Sequence, residues 1–385
     1  MLFRSLSKGD KSKYINNVWN SEISTIYSDE INTGQTQTRQ SRDTSIKKFL
    51  ATKRSNQRDY ADACFRYLRM SGIISISHRG HSVFIDESKY KEVDFILSNV
   101  DREPIYIDEI DSFKKYLFDP TIPSLFTDNK ANLVNQIMKL SSYTRQDLVN
   151  KSINELKDLK DEIIEEKREA LFSDQVRELK SYSLYSEIID TFNEIITDDI
   201  YDAPLILEWN TWRAMTMLNG GIIKGNFKVD DSGQPMSTAQ GNMPDIECDY
   251  GEFALSVEVT LQAGQRQYET EGEPVARHYG QLKKRAGKET YCLFIAPTIN
   301  HATLAHFFTL NKTEIFYYGG KARIIPLELD QFMRLVENSY NFKGNPTESH
   351  VKSFLSFASN LVDKSANEKV WIDSVYDSIN DWPSN

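Results

Sequence analysis

The sequence predicts a mixed α+β protein in which helices alternate with the strands of a mixed α/β sheet. Residues 291–295 and 322–327 are short, apolar segments rich in β-branched and aromatic side chains, which is typical of buried strands. Residues 132–198 contain neither glycine nor proline and carry apolar side chains at helical intervals, which predicts long helices. Segments of both kinds in one chain indicate helices packed on a sheet.

Length and composition bound the class of protein. A chain of 385 residues with 39% apolar and 11% aromatic side chains can build two or three domains with packed cores. Its cysteines, Cys64, Cys248 and Cys292, lack the paired spacing of a disulfide framework or a zinc site, so we expect a reducing, cytoplasmic location. No apolar run is long enough to span a membrane, and the N-terminus lacks the apolar core of a signal peptide.

The formal net charge of -10 is unevenly distributed. Residues 39–79 hold ten Lys and Arg against three Asp, whereas acidic residues accumulate over residues 154–202. Because Lys and Arg that neutralise phosphates drive nucleic-acid affinity, the basic stretch predicts contact with double-stranded DNA, and a solvated helix face is the alternative. The arginines predicted to contact DNA are Arg54, Arg58, Arg66, Arg69 and Arg79.

Two helices and a hairpin are predicted within residues 1–126, and the hairpin has a basic tip. Residues 14–27 and 44–71 repeat apolar side chains at helical spacing. Residues 73–76 and 82–85 are β-rich and flank the sequence His-Arg-Gly-His. A helix followed by such a hairpin is the layout of a winged-helix DNA-binding domain; a small α+β domain with an exposed polar turn is the alternative. In the winged-helix interpretation, the phosphate contacts are His78, Arg79 and His81.

The prolines Pro104, Pro120 and Pro123 mark the edge of this first region. Residues 127–185 are then predicted to form a helical linker, whose acidic side chains pair with lysines at helical spacing and form a solvated face. Residues 186–385 form the third predicted region.

A pair of acidic residues in the third region suggests a site for a cation. Residues 246–249 and 253–259 show period-two patterning around a turn, which predicts two paired strands. Asp245 and Glu258, thirteen positions apart, would then lie close together at the end of the sheet. Two carboxylates so placed repel each other unless a cation lies between them.

Two further carboxylates flank this hairpin. Glu208 lies near the start of a helix predicted over residues 204–218, between the apolar Leu207 and Trp209. It either accepts a backbone hydrogen bond or points at a metal. Glu271 is predicted to open or precede a helix, and His278, two helical turns later, shares its face.

The order Pro-Asp, spacer, Glu-Val-Thr resembles the core of the PD-(D/E)xK nucleases, with Thr260 at the position that lysine usually occupies. Residues 207–212, 240–242, 271–279 and 291–297 surround this core, and together the segments resemble the cleavage domain of the AlwI-like type IIS restriction endonucleases, a group that includes natural nicking enzymes. The resemblance covers residues 185–340 and, more loosely, 15–130. It implies a C-terminal restriction-endonuclease-like α/β domain, with the linker joining the DNA-reading part to the DNA-cutting part.

The resemblance also implies a Mg²⁺-dependent endonuclease with one or two ions, cutting at a distance from its recognition sequence. Asp245, Glu258 and the Val259 carbonyl would bind the metal, and Glu208 would reach it directly or through water. Glu271 would hold a second ion or orient the attacking water. His278 would contact phosphate or donate a proton; a structural histidine is the alternative.

Thr260 leaves two functional hypotheses open. An additional carboxylate and metal replace the lysine, or the chain is a catalytically impaired DNA-binding or partner subunit of a restriction system. Lys283 and Lys284 are candidate substitutes for the lysine, and solvated helix termini explain them equally well. A third class, a helical signalling protein, leaves the paired carboxylates unexplained. Phosphate loops of the Walker type and the Rossmann fingerprint are absent from the sequence, which disfavours ATP and NAD chemistry.

One hydrolytic centre cuts one strand at a time, so we expect a second nuclease subunit or a transient dimer for double-strand cleavage. In the family that the chain resembles, a further recognition domain precedes the equivalent of the first segment. We therefore expect the chain to be shortened at its N-terminus.

Overall fold

The computed structural model describes residues 8–34, 45–76, 83–85, 87–103, 106–197, 200, 202–218, 220–230, 233–342 and 346–383. The chain divides into two compact units, residues 1–68 and 69–385. The three predicted regions, 1–126, 127–185 and 186–385, stay predictions.

The first unit is helical. Its elements are α1 (Lys8–Ile26), α2 (Ser28–Thr33) and most of α3 (Ile46–Met70), which confirms the two helices predicted there. Phe49 is buried, and its ring meets Tyr27 edge-on with centroids 5.6 Å apart. The Lys53 ammonium lies 4.8 Å from the centroid of the Tyr27 ring. These contacts join α3 to the residue between α1 and α2.

The second unit begins with the predicted hairpin. Strand β1 (Ile74–Ile76) pairs antiparallel with β2 (Val83–Ile85), which confirms the hairpin, whereas its tip, with His78, Arg79 and His81, lies outside the described residues. Within the described residues six α-helices follow over residues 90–196, and α4 was not predicted. They are α4 (Tyr90–Asn99), α5 (Ile110–Leu117), α6 (Lys130–Leu140), α7 (Arg145–Leu148), α8 (Ile153–Lys180) and α9 (Tyr185–Ile196).

Helix α8 has 28 residues and a defined beginning. The Ser152 hydroxyl accepts a hydrogen bond from the Glu155 amide, and the Glu155 carboxylate accepts one from the Ser152 amide, which satisfies two amides at the helix start. The first half of α8 packs on α6 and α7 around Leu133, Ile137, Leu148, Leu156 and Ile163. Further along, Phe172 stacks on Trp212 with ring centroids 5.2 Å apart, so the predicted linker also packs against the third predicted region.

A five-stranded mixed sheet organises the rest of the unit and confirms the predicted α/β sheet. Its strands are β3 (Ile222–Gly225), β6 (Ile246–Asp249), β7 (Phe253–Val259), β8 (Glu289–Ala296) and β9 (Ile324–Glu328), in the order β3-β6-β7-β8-β9. The first three are antiparallel, and β7, β8 and β9 are parallel. A small separate hairpin pairs β4 (Lys228–Val229) with β5 (Pro235–Ser237).

Helices cover both faces of the sheet. They are α10 (Ala203–Met217), α11 (Gly264–Ala286), α12 (His301–Lys312), α13 (Leu329–Asn341), α14 (Glu348–Lys364) and α15 (Glu368–Ile379). Because side chains alternate along a strand, Leu293 of β8 joins the core shared with α10, α13, α14 and α15, whereas Phe294 joins the core shared with α11 and α12. Helix α11 begins seven residues before Glu271, so the prediction that Glu271 opens or precedes the helix was wrong.

The described helices include none that is both long and apolar enough to cross a membrane. Cys64, Cys248 and Cys292 are free thiols.

Candidate active site

Strands β6 and β7 bring Asp245 and Glu258 together. Their antiparallel register pairs Ile246 with Val257, so the preceding Asp245 lies opposite the following Glu258. The Asp245 Oδ2 atom accepts a hydrogen bond of 2.8 Å from the Val259 amide, which fixes its side chain across the strand end. Glu258 is buried, whereas Asp245 and Val259 keep partial exposure. The predicted juxtaposition of the two acids is therefore present.

Helix α11 supplies the next two candidates. His278 Nδ1 shares a hydrogen bond of 2.9 Å with Glu258 Oε1. The Thr260 hydroxyl donates to Glu271 Oε1 at 2.9 Å and accepts from the Gln262 amide at 3.1 Å. Thr260 is buried and Glu271 half-buried. The residue that stands at the usual lysine position thus holds a carboxylate.

Glu208 approaches the same place from α10. It is buried, and its Oε2 atom accepts a 2.9 Å hydrogen bond from the Ala239 amide in the loop that leads to Asp245. Arg277 holds this loop from the other side, because its Nη1 atom donates to Asn242 Oδ1 at 2.5 Å. Asn242 has a φ of 69°, a left-handed conformation that Asn tolerates better than most residues. The loop before Asp245 is therefore tied to both α10 and α11.

The electrostatics of the site reflect crowded negative charge. Burial, followed by repulsion from Asp245, raises the pKa of Glu208 from 4.5 to about 8. Burial, followed by repulsion from Glu258, raises the pKa of Asp245, and burial, followed by Glu271 and Glu208, raises that of Glu258. Burial and the neighbouring Arg277 charge lower the pKa of His278. The surroundings therefore favour protonated carboxyls and a neutral imidazole.

This donor set suits a hard divalent cation. Four carboxylates from α10, β7, α11 and the loop before β6 repel one another, and carboxylate oxygen is the ligand that Mg²⁺ prefers. In the described part of the chain, no three His, Cys, Asp or Glu side chains are positioned to bind one ion directly. Glu208, Asp245 and Glu271 each accept a hydrogen bond from a protein donor, and Glu258 shares one with His278 Nδ1. The residues fit the cation by chemistry and charge.

The arginines predicted to contact DNA differ in their surroundings. Arg66 is exposed, and Arg54 donates to Asn16 Oδ1 at 2.5 Å. Arg69 is buried with 6% exposure, its Nη1 atom 3.4 Å from the carbonyls of Pro235 and Met236, so it is not placed to contact DNA phosphate. The side chain of Arg58 and all of Arg79 lie outside the described residues.

Of the two lysines considered as substitutes for the missing lysine, Lys283 is engaged elsewhere. Lys283 Nζ donates to the Gly319 carbonyl at 2.7 Å and lies 5.7 Å from the Tyr279 ring centroid, which corrects the expectation that it could serve the carboxylates. Lys284 is exposed.

Comparisons with known proteins give the family of the chain. The sequence model of the AlwI restriction endonuclease family matches residues 1–335, most of the chain. The chain belongs to the AlwI restriction endonuclease family. Membership makes it a restriction nuclease by descent, and the match includes the helical segment that the sequence resemblance left out.

A solved structure is also similar in part. The small subunit (R.BspD6I2) of the heterodimeric restriction endonuclease R.BspD6I is 27% identical, with 50% of this chain and 98% of that subunit covered and a TM-score of 0.44. No curated protein matches the chain.

Sequence reasoning missed how the candidate residues of this AlwI-family chain are held. The hydrogen bond from Arg277 to Asn242 fixes the loop before Asp245. Asn226 adds another contact to this loop by donating to the Pro244 carbonyl at 2.7 Å. Two signals were available: Arg277 precedes His278 directly, and a polar residue stands where lysine was expected. Neither reveals a contact between segments about 35 residues apart.

Replacement of Glu208 should flatten the pH dependence of stability. Without a divalent cation, folded Glu208 keeps its proton up to about pH 8, whereas the unfolded side chain releases it near 4.5. Between those two pH values the folded state binds the proton more tightly than the unfolded state. The free energy of unfolding therefore falls as the pH rises. We expect the Tm in EDTA to fall from about pH 5 to about pH 8 in the parent, and to fall less in Glu208→Gln.

The matched control for this experiment is Glu269→Gln at an exposed position of α11, which should keep the parental slope. Equal Tm slopes in the parent and Glu208→Gln would contradict the assignment.

Proposed function

We propose that this AlwI-family chain is a Mg²⁺-dependent DNA endonuclease of type IIS organisation, with a PD-(D/E)xK-type centre that cuts at a distance from its recognition sequence. The observation that carries the proposal is the convergence of Glu208, Asp245, Glu258 and Glu271, in which burial and repulsion disfavour the charged forms of the first three. A protein gains nothing in stability from such a set, so its presence favours a catalytic role.

Residues of this chain would divide the work of phosphodiester hydrolysis. Bound Mg²⁺ supplies an activated water and stabilises charge on the phosphoryl group. Asp245, Glu258 and the Val259 carbonyl would hold it, with Glu208 reaching it directly or through water. Glu271, fixed by the Thr260 hydroxyl, would hold a second ion or orient the water.

His278 is the proposed contact for a phosphate oxygen or a proton. Its Nδ1 atom is engaged with Glu258, which orients the ring, and its buried Nε2 atom has no hydrogen-bond partner among the described residues. A neutral imidazole with one nitrogen held can contact a phosphate oxygen or pass a proton with the other. Such a contact would satisfy the Nε2 atom.

The proposed partners are double-stranded DNA and, for double-strand cleavage, a second catalytic chain. One centre hydrolyses one strand at a time, so the expected product of this chain acting alone is nicked DNA. The competing function is an impaired DNA-binding or partner subunit, which the threonine at position 260 favours. Nicking of supercoiled plasmid in Mg²⁺, and its absence in EDTA, separates the two.

Isosteric loss of either strand-end carboxylate should abolish nicking. Asp245→Asn and Glu258→Gln each remove one negative charge without removing core volume, so we expect the rate to fall by about a thousandfold or more and DNA affinity in EDTA to stay parental. The measurement is the initial nicking rate together with DNA binding and Tm. Parental turnover in either variant would exclude the site.

Substitutions at Glu271 and Thr260 test whether Glu271 takes over the role of the missing lysine. Glu271→Ala should lose most of its activity in Mg²⁺ and still bind DNA. Thr260→Lys should not exceed the parent, because an ammonium among these carboxylates competes with the metal. Nicking rates across a Mg²⁺ titration measure both effects. A fully active Glu271→Ala, or a Thr260→Lys faster than the parent, would indicate a lysine-type centre.

The nicking rate should depend on the hydroxyl of Thr260 more than on the shape of the side chain. Thr260→Val keeps nearly the same volume but leaves Glu271 Oε1 without this donor, so we expect the nicking rate to fall by about 10- to 100-fold. Thr260→Ser retains the donor and should recover most of the rate. Equal rates in the Val and Ser variants, at equal Tm, would show that the hydrogen bond is irrelevant to catalysis.

A further inference from the structure

A cleft rich in lysine lies in the second unit, formed by helices α4, α6 and α8 and the 3-10 turn Glu87–Lys89. Its volume is about 360 Å³, and five lysines line it against two glutamates. The lysines are Lys89, Lys91, Lys139, Lys160 and Lys167. They come from three segments far apart in the chain, so no stretch of the sequence displays the cluster.

One of the two glutamates is neutralised inside the cleft. Glu92 Oε1 lies 3.3 Å from Lys160 Nζ and accepts a 2.7 Å hydrogen bond from Gln136 Nε2. The side chains of Lys160 and Glu92 are only 12% and 20% exposed. This pair therefore satisfies itself, and the charge presented to solvent comes from Glu87 and from the exposed lysines of the cleft.

Three of those lysines point their charge outward. Lys91, Lys139 and Lys167 are exposed, and none of the ion pairs found in the described part of the chain includes them. Like charges around one concave surface repel each other and raise the local positive potential, because the low-dielectric walls focus the field. An anion in the cleft removes this repulsion.

The sequence of α8 separates its charges by face. Lys160, Ile164 and Lys167 recur at intervals of four and three residues and line the cleft. The acidic residues Asp161 and Glu165 are exposed, and neither lines the cleft. The helix therefore has a basic face, although its net charge is negative.

We infer that this cleft binds backbone phosphates of duplex DNA, in addition to any contact made by residues 39–79. The inference takes duplex DNA as the ligand from the proposed function. Lysine side chains are point charges that bind phosphate without reading sequence, so the cleft would add affinity and orientation and no base specificity. The segment predicted as a linker would then hold the substrate.

The test measures the salt dependence of DNA binding by the full chain. Duplex binding in EDTA is followed across a NaCl series for the parent, for Lys139→Gln with Lys167→Gln, and for the charge-matched control Lys364→Gln with Lys369→Gln. The control lysines are exposed on α14 and α15 and lie outside the cleft. Each phosphate contact contributes about 0.9 to the slope of log K against log salt.

We expect the cleft double variant to bind more weakly and with a slope shallower by up to about 1.8, at an unchanged Tm, and the control to match the parent. At saturating DNA its nicking rate should equal the parental rate, because the carboxylate site is intact. A parental slope in the cleft variant, or an equal change in the control, would overturn the inference.

Two further arms separate the cleft from other outcomes. Inorganic phosphate at constant ionic strength should change the Tm of the parent and of the cleft variant equally. A rise in the Tm of the parent alone would identify a free phosphate compound as the ligand and overturn the DNA assignment. Failure of the parent to nick plasmid, with the slope difference intact, would reject the proposed nuclease and retain the cleft.

Discussion

Repulsion between carboxylates that cannot move apart is the constraint on which this site depends. Asp245 and Glu258 face each other across a strand pair, so the backbone register itself fixes their separation. Glu208 and Glu271 add charge from two helices, and burial removes the water that would screen it. The chain tolerates the arrangement by giving Asp245, Glu208 and Glu271 hydrogen-bond donors and by placing His278 beside Glu258.

The mixed sheet explains why the donors are in reach. Strand β7 is antiparallel to β6 on one side and parallel to β8 on the other, so its end meets both the loop before β6 and the connection into α11. Period-two alternation turns Glu258 away from the core that contains Leu255 and Val257, toward the face covered by α11. One strand end therefore gathers residues from a loop and two helices without any irregular strand.

The sequence was sufficient for the parts of this arrangement that are local. Alternation and spacing predicted the β6–β7 hairpin and the meeting of Asp245 with Glu258. Helical periodicity predicted α3, and the start and stop signals around residues 204–218 predicted α10. Contacts set by tertiary packing were not predictable: the Thr260 hydroxyl reaches Glu271 only because α11 begins at Gly264, and Arg69, basic in sequence, is buried against β5. The lysine cleft belongs to the same class, because three helices assemble it.

The Thr260–Glu271 contact also limits which substitutions this site accepts. The hydrogen bond joins a buried hydroxyl to a half-buried carboxylate, so loss of either polar group removes a partner from the other side chain. Such positions behave as one unit, with coupling energies of about 0.5–3 kcal/mol in double-mutant cycles. Redesign toward a centre with a cation on this strand therefore has to exchange both residues together, and libraries that vary one position at a time would miss such paired exchanges.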